Sequence, residues 1–114
     1  MTTVYVAGPM TGLPDHNYPA FHAAEALLTD AGYRVLNPAR NGTIPGDACA
    51  ACMRLGLRQV LEADAVALLP GWEASRGARL EREVALALGL PVAPLVGGGW
   101  GDGWGALPPN GATS

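Results

Sequence analysis

Short apolar runs alternate with longer amphipathic segments along the chain. The apolar runs occupy residues 2–8, 33–38, 65–70 and 91–96, and their length and composition are typical of buried β-strands. Three segments with helical periodicity lie between them. This order predicts an α/β domain in which a parallel sheet, joined by right-handed crossovers, carries helices on both faces.

The three predicted helices have recognisable ends. Pro19 stands at a first helical position, where its missing N–H costs nothing, and Ser75 is suited to be an N-cap. Glycines follow the last residues of the first and third patterns. The predicted helices follow Tyr18-Pro19 and end at Gly32, run from about Asp47 to about Ala63, and run from Ser75 to Gly89.

The loops that follow the strands are the predicted location of a ligand site. In parallel sheets, ligands bind outside the carboxyl ends of the strands. The segments GPMTG, NPAR and PGWEASRG follow the first three strands and should lie along one rim. We therefore expect Gly8, Asn37 and Gly71 to cluster there.

Length and charge limit the function. The 114 residues suffice for one domain with a buried core, and a net charge of −3 provides no basic stripe for DNA or RNA. The first residues lack the pattern of a signal peptide, and no apolar run is long enough to span a bilayer. We expect a soluble, cytoplasmic protein with no nucleic-acid or membrane partner.

The composition changes near the end of the chain. Residues 98–114 contain too much Gly and Pro for a regular element, so we divide the chain into a domain at 1–97 and a Gly/Pro/Trp-rich tail at 98–114. The tail is either disordered or an arm whose Trp100 and Trp104 dock on a partner subunit.

Cys49 and Cys52 form a CxxC pair. A zinc site requires further cysteine or histidine ligands, and none lies near this pair in the sequence. A redox CxxC pair is usually flanked by residue types other than the alanines found here. We favour two small apolar residues one helical turn apart. No metal or redox cofactor is implied.

The third helix carries two glutamates two positions apart. Counted at 100° per residue from Leu80, its apolar stripe centres near 40°; the stripe residues are Leu80, Val84, Ala87 and Leu88. Glu81 lies about 60° from that centre and Glu83 about 100° from it, so Glu81 should be half-buried and Glu83 exposed. Gly77, one turn earlier, should leave a gap that a ligand could fill.

Glu81 and Ser75 also have structural interpretations that involve no ligand. Periodicity alone favours a surface charge cluster in which Glu81 pairs with Arg76, Arg79 or Arg82, because surface ion pairs are common. Ser75 is either only an N-cap or part of an anion site formed by the free N–H groups of Ser75, Arg76 and Gly77.

Four segments together resemble the nucleoside 2-deoxyribosyltransferase-like superfamily, in a small uncharacterised branch described as a domain of unknown function. They are YVAGPMTG, NYPAF, GYRVLNPA and EADAVALLPGWEASRGARLEREVALALGLPV, within residues 3–92. The resemblance implies a flavodoxin/Rossmann-like three-layer fold with a four- to five-stranded parallel sheet. It also implies a homodimer or higher homo-oligomer whose active sites are completed by a neighbouring subunit.

The resemblance also implies roles for individual residues. The superfamily's G-[TA]-x-x-E segment, which supplies the catalytic nucleophile, matches Gly77 to Glu81, and a serine that binds a 5′-phosphate in hydrolase members matches Ser75. The loop that contacts the nucleoside matches Gly8, Pro9, Met10 and Thr11. We add Arg76 as a phosphate contact and Tyr18, Asn37 and Gly71 as further contacts at the rim.

One position departs from the superfamily. Members usually carry an Asp in the second helix that handles a proton of the base, and this chain has Gly56 there. Either another group handles the proton, or glycosidic chemistry is weak or lost.

These residues predict an enzyme that cleaves or transfers the N-glycosidic bond of a (deoxy)nucleoside 5′-monophosphate. Glu81 would form a covalent glycosyl intermediate. The alternative is a non-catalytic module that binds a nucleotide, as a sensor or sink, on the same fold.

Overall fold

The computed structural model describes residues 2–10, 13–40, 49–96 and 99–100. Within these residues, five strands and three α-helices alternate along the chain. They are β1 (Thr3–Ala7), α1 (Tyr18–Asp30), β2 (Arg34–Leu36), α2 (Cys49–Glu62), β3 (Ala65–Leu68), α3 (Arg76–Ala87), β4 (Val92–Val96) and β5 (Gly99–Trp100). None of these helices is long and apolar enough to cross a membrane.

The sheet has the order β2-β1-β3-β4-β5. The first four strands in the chain pair in parallel, as predicted, with Tyr5 opposite Leu36 on one side and Val66 on the other. The edge strand β5 runs antiparallel to β4 and pairs Gly99 with Val96. The expectation of no regular element after residue 97 is therefore wrong for these two residues. The boundary at 97 stays a prediction, and Trp104 lies outside the described residues.

The three-layer arrangement is confirmed by two hydrophobic cores, one on each face of the sheet. Alternation along β1 sends Val4 and Val6 to the core under α1. It sends Tyr5 and Ala7 to the opposite core, under α2 and α3. Tyr5 thus carries a buried hydroxyl into the α2/α3 layer.

The helix ends follow the residues that predicted them. Gly32 follows α1 with a φ of 94°, and Gly89 follows α3 with a φ of 77°, a region that favours glycine. Ser75 caps α3, and its Oγ accepts a hydrogen bond from the Ala78 N–H at 3.2 Å. The predicted start of α2 at Asp47 lies outside the described residues, as do the side chains of the CxxC pair.

The predicted buried stripe of α3 is wrong. The buried residues are Ala78, Glu81 and Ala85, at about 160°, 100° and 140° from Leu80. Leu80 and Leu88 are 43% and 49% exposed. Alanines let α3 approach the sheet and α2 closely, so the small residues take the inner face and the leucines are left outside. The rotation brings Glu81 into the buried face, beside Ala85 and Ala78.

Candidate active site

Loops after β1 and β3 pack directly against each other at the carboxyl edge of the sheet. A Cβ on Gly71, whose φ is 87°, would lie 3.3 Å from Pro9 Cγ, and a Cβ on Gly8 would lie 2.7 Å from Leu69 Cβ. The two glycines therefore permit a close approach of protein to protein. Since β1, β2 and β3 are parallel, Gly8, Asn37 and Gly71 share this edge, as predicted.

Asn37 is buried at this edge, and its amide is committed within the protein. Its Nδ2 donates to Phe21 O at 3.3 Å and Glu25 Oε1 at 2.9 Å, and lies 3.3 Å from His22 Nδ1. Its Oδ1 accepts from the Ala39 N–H at 2.9 Å. With no donor left, Asn37 fastens the loop after β2 to α1.

The hydrogen bonds of Asn37 extend through Glu25 to the surface. Arg40 Nε donates to Glu25 Oε1 at 2.6 Å, and the Arg40 side chain is 64% exposed. This hydrogen bond lowers the pKa of Glu25, with a smaller contribution in the same direction from Asn37. Asn37, Glu25 and Arg40 therefore form a polar cluster on the α1 side of the rim.

The start of α1 is tied to the loop after β1. Asn17 Nδ2 donates to Pro9 O at 2.9 Å, and Asp15, His16 and Asn17 all adopt left-handed backbone conformations. Tyr18 follows, with its ring centre 5.7 Å from that of His16. Tyr18 is thereby held next to the β1 loop.

Met10 and Thr11 are the remaining residues of the predicted β1 loop. Met10 packs against the core under α1. Thr11 lies outside the described residues.

Glu81 is the buried carboxyl of the site. The residue is 8% exposed, and Tyr5 Oη donates to Glu81 Oε2 at 2.7 Å. No arginine of the described residues forms an ion pair with it, so the surface-cluster interpretation is wrong for Glu81. Glu83, by contrast, is 73% exposed and lies 3.8 Å from Arg82. The predicted difference in exposure between Glu81 and Glu83 is confirmed, and Glu81 is more deeply buried than predicted.

Burial controls the ionisation of this pair. Desolvation raises the pKa of Glu81 to about 7, and the hydrogen bond from Tyr5 acts in the opposite direction because it favours the ionised form. Burial, followed by the neighbouring charge of Glu81, raises the pKa of Tyr5 well above its usual value. Tyr5 therefore stays protonated and remains a donor.

Gly56 of α2 makes room for the carboxyl group. A Cβ at this position would overlap Glu81 Oε2 and would lie 3.0 Å from Tyr5 Oη. The space that any side chain at position 56 would fill is thus occupied by Glu81. We name the group of Tyr5, Gly56 and Glu81 the carboxyl pocket.

The two oxygens of Glu81 have different surroundings. Oε2 holds the hydrogen bond from Tyr5, whereas Oε1 makes none with the described residues. Oε1 is therefore the oxygen of Glu81 that is without a hydrogen-bond partner among the described residues.

The gap expected at Gly77 is already filled. A Cβ there would lie 3.2 Å from Met53 Cε, so the methionine methyl packs over the glycine. The prediction of an open ligand space at Gly77 is corrected: α2 packs close enough to close it.

The start of α3 lies at the same edge as the rim loops. Ser75 is the N-cap, and Arg76, the first helical residue, is exposed. Just before it, the loop after β3 is held by Trp72, whose ring lies 5.0 Å beneath the Arg82 guanidinium. The capping role of Ser75 is confirmed, and its hydroxyl proton is left for another acceptor.

Sequence reasoning missed Tyr5 as a site residue. A signal was available, because a hydroxyl in a buried strand requires a hydrogen-bond partner. The space at Gly56 had no such signal, since it depends on how closely α2 and α3 pack.

Comparisons with known proteins agree with this fold. The model of a family described as a domain of unknown function (DUF4406) matches residues 2–94. A solved 2-deoxyribosyltransferase from Bacillus psychrosaccharolyticus is similar in structure, with a TM-score of 0.66, 20% sequence identity, and coverage of 82% of this chain and 71% of that chain. A search of curated proteins finds no match. The chain thus has the fold expected of an uncharacterised deoxyribosyltransferase-like branch.

Replacing Gly56 tests the carboxyl pocket. Gly56→Ala should lower the free energy of unfolding by roughly 1–3 kcal/mol, because the methyl displaces the Glu81 carboxyl from Tyr5. This loss would appear despite the gain of about 1 kcal/mol that Ala brings to a helix interior. Gly77→Ala is the matched control, since it meets only a flexible Met53 methyl. Urea unfolding measures both, and a Gly56→Ala variant at least as stable as the parent would refute this geometry.

Glu81 should make stability depend on pH. The folded protein retains a proton up to a pKa of about 7, whereas the unfolded chain releases it near 4.5, so stability falls as pH rises through this window. The loss from this group is about 3 kcal/mol. Glu81→Gln should abolish it, and Glu83→Gln should follow the parent; unfolding curves from pH 4 to 8 measure this. Parallel curves for the parent and Glu81→Gln would contradict the burial of an ionisable carboxyl.

Proposed function

We propose, from the premise that this chain belongs to the DUF4406 family and has the fold of a 2-deoxyribosyltransferase, that it acts on N-glycosidic bonds. The substrate is a (deoxy)nucleoside 5′-monophosphate, and the reaction is hydrolysis or transfer of its sugar. The observation that carries the proposal is the carboxyl pocket, where Tyr5 donates to one oxygen of the buried Glu81 and the other has no hydrogen-bond partner among the described residues.

Glu81 is the nucleophile in this proposal. Its Oε1 attacks the anomeric carbon while the bond to the base breaks, and water or a second base then releases the sugar from the glycosyl ester. Tyr5 fixes the orientation of the carboxylate through Oε2. Two displacements retain the configuration at the anomeric carbon.

The pKa of Glu81 determines how the proposed reaction depends on pH. Only the ionised carboxylate attacks, so activity should rise with pH through about 7 and level off above it. Burial strips water from the nucleophile, and the Tyr5 hydrogen bond limits the increase in its pKa.

The start of α3 is the proposed phosphate site. Backbone N–H groups at a helix N-terminus and the helix dipole favour an anion, and Arg76 and Gly77 supply such N–H groups beside the Ser75 hydroxyl and the Arg76 guanidinium. The Ser75 N–H, which was also expected to be free, donates to Trp72 O at 3.0 Å and is not available. Arg76, the first residue of α3, is exposed, and in this proposal its guanidinium binds the phosphate.

The rim loops are the proposed sugar and base contacts. The proposed contacts on the β1 loop are Gly8, Pro9, Met10 and Thr11, and Pro9 packs against Gly71 of the β3 loop. Tyr18 borders this region, as the hydrogen bond from Asn17 to Pro9 brings the start of α1 beside it. Asn37 contributes indirectly, because its hydrogen bonds hold the β2 loop against α1.

We also propose a homodimer or higher homo-oligomer formed through the outer face of α2 and α3. Leu61, Leu80 and Leu88 are 64%, 43% and 49% exposed on these helices. A two-fold arrangement that places α2 of one copy against α3 of the other would bring these leucines together.

Replacing Glu81 tests the chemistry. Glu81→Gln keeps the shape and removes the nucleophile, so turnover should fall by at least ~10³, while ligand binding is largely retained. Glu83→Gln, exposed on the same helix, should behave like the parent. Chromatography of free base, after incubation with nucleoside and deoxynucleoside monophosphates, measures turnover.

Two outcomes would contradict the proposal. Parent-like turnover in Glu81→Gln would exclude this carboxylate as the nucleophile. Ligand-induced stabilisation of the parent without base release would show the alternative function, a nucleotide-binding module.

Replacing Arg76 tests the phosphate site. Arg76→Ala should weaken binding of a nucleoside monophosphate by roughly tenfold or more, because a charge-assisted contact is lost, and should leave the nucleoside nearly unaffected. Arg79→Ala, exposed one turn further along, is the control. Calorimetry with both ligands measures the difference. Equal losses for nucleotide and nucleoside would show that the start of α3 does not bind the phosphate.

A further inference from the structure

The first turn of α3 separates the two places where the proposed substrate would meet the helix. Arg76 and Gly77 supply the proposed phosphate contacts, and Glu81 is the proposed nucleophile. Because a helix rises about 1.5 Å per residue, Gly77 and Glu81 are roughly 6 Å apart along the helix axis. In a nucleoside monophosphate, the sugar ring and its exocyclic carbon join the phosphate to the anomeric carbon. The sugar of a bound nucleotide would therefore lie alongside this turn.

Met53 of α2 packs against the same turn. Its Cε would lie 3.2 Å from a Cβ on Gly77, and one turn further along α2 Gly56 packs against the Glu81 carboxyl. Both helices lead from the carboxyl end of one parallel strand to the start of the next, so both begin at the rim. Met53 is therefore nearer to the rim than the carboxyl pocket is.

The Glu81 side chain extends toward the same turn. Side chains on a helix point back toward its N-terminus and cover the preceding turn, so the Glu81 carboxyl lies over the turn that contains Gly77. Gly77 has no side chain of its own, and the Met53 methyl packs over it. Met53 and Gly77 are both only half-buried. An apolar, partly exposed surface thus lies between the proposed phosphate site and the nucleophile.

We infer that Met53 is a sugar-contact residue, whose thioether and methyl form the apolar wall against which the sugar of the nucleotide packs. The inference rests on the proposed function and adds a residue to its site. The C–H groups of a furanose ring gain from contact with an apolar surface. The unbranched methionine side chain can adjust its shape to the ring. This contact holds the anomeric carbon close to Glu81.

Shortening Met53 tests the contact with ligands that contain the sugar and the phosphate but no base. Met53→Ala should weaken binding of ribose 5-phosphate or 2-deoxyribose 5-phosphate, whichever the parent binds more tightly, by roughly tenfold or more, because apolar contact with the ring is lost. Binding of inorganic phosphate should not change. Calorimetry with the full chain measures both ligands.

Three further variants serve as controls. Met53→Leu conserves most of the volume of the side chain and should retain most of the affinity. Met53→Val shortens the side chain less than alanine does, so it should show a smaller loss in the same direction and replaces Met53→Ala if that variant does not fold. Leu57→Ala, at a half-buried position one turn further from the rim on α2, should bind the sugar phosphate like the parent.

The outcomes separate this inference from the proposed function. Parent-like affinity of Met53→Ala for the sugar phosphate, or no binding of either sugar phosphate to the parent, would overturn the inference, and Glu81-dependent release of base would still support the function. Equal losses for sugar phosphate and inorganic phosphate would also overturn it, because Met53 would then support the start of α3 and not the sugar. The expected loss without any release of base would leave the contact standing and overturn the proposed catalysis.

Discussion

The hydrogen bond from Tyr5 to Glu81 is the interaction on which the site depends. It joins β1 to α3 across 76 residues of sequence, and it exists only because α2 has a glycine where the two side chains meet. Three elements from separate parts of the chain therefore converge on one carboxyl group. Its burial raises the pKa of Glu81 to about 7, so ionisation of this carboxyl near neutral pH is costly to the fold.

The packing of α3 follows from the same constraint. Glu81 faces the sheet together with Ala78 and Ala85, and the larger leucines of the helix are left exposed. A helix rotated to bury its leucines would carry Glu81 away from Tyr5. The fold thus places a carboxyl on the inner face of α3 and leaves leucines exposed on its outer face, which is why we propose association through α2 and α3.

Sequence patterns predicted much of the fold but only part of the site. The order of strands and helices, the parallel pairing and the cap at Ser75 follow from local signals that the structure retains. The burial of Glu81 was predicted from a stripe that turned out to be exposed, because periodicity does not weigh small residues that allow close packing. The role of Gly56 could not be predicted, since it depends on a contact between two helices and a strand.

The central claim is that Glu81 Oε1 forms a bond to the sugar. Mass spectrometry can test it directly, with nucleotides that carry fluorine at C2′, where electron withdrawal slows hydrolysis of the glycosyl ester. The account predicts a sugar phosphate adduct on the peptide that contains Glu81, and none in Glu81→Gln. Release of base without an adduct, or an adduct on any other residue, would contradict it.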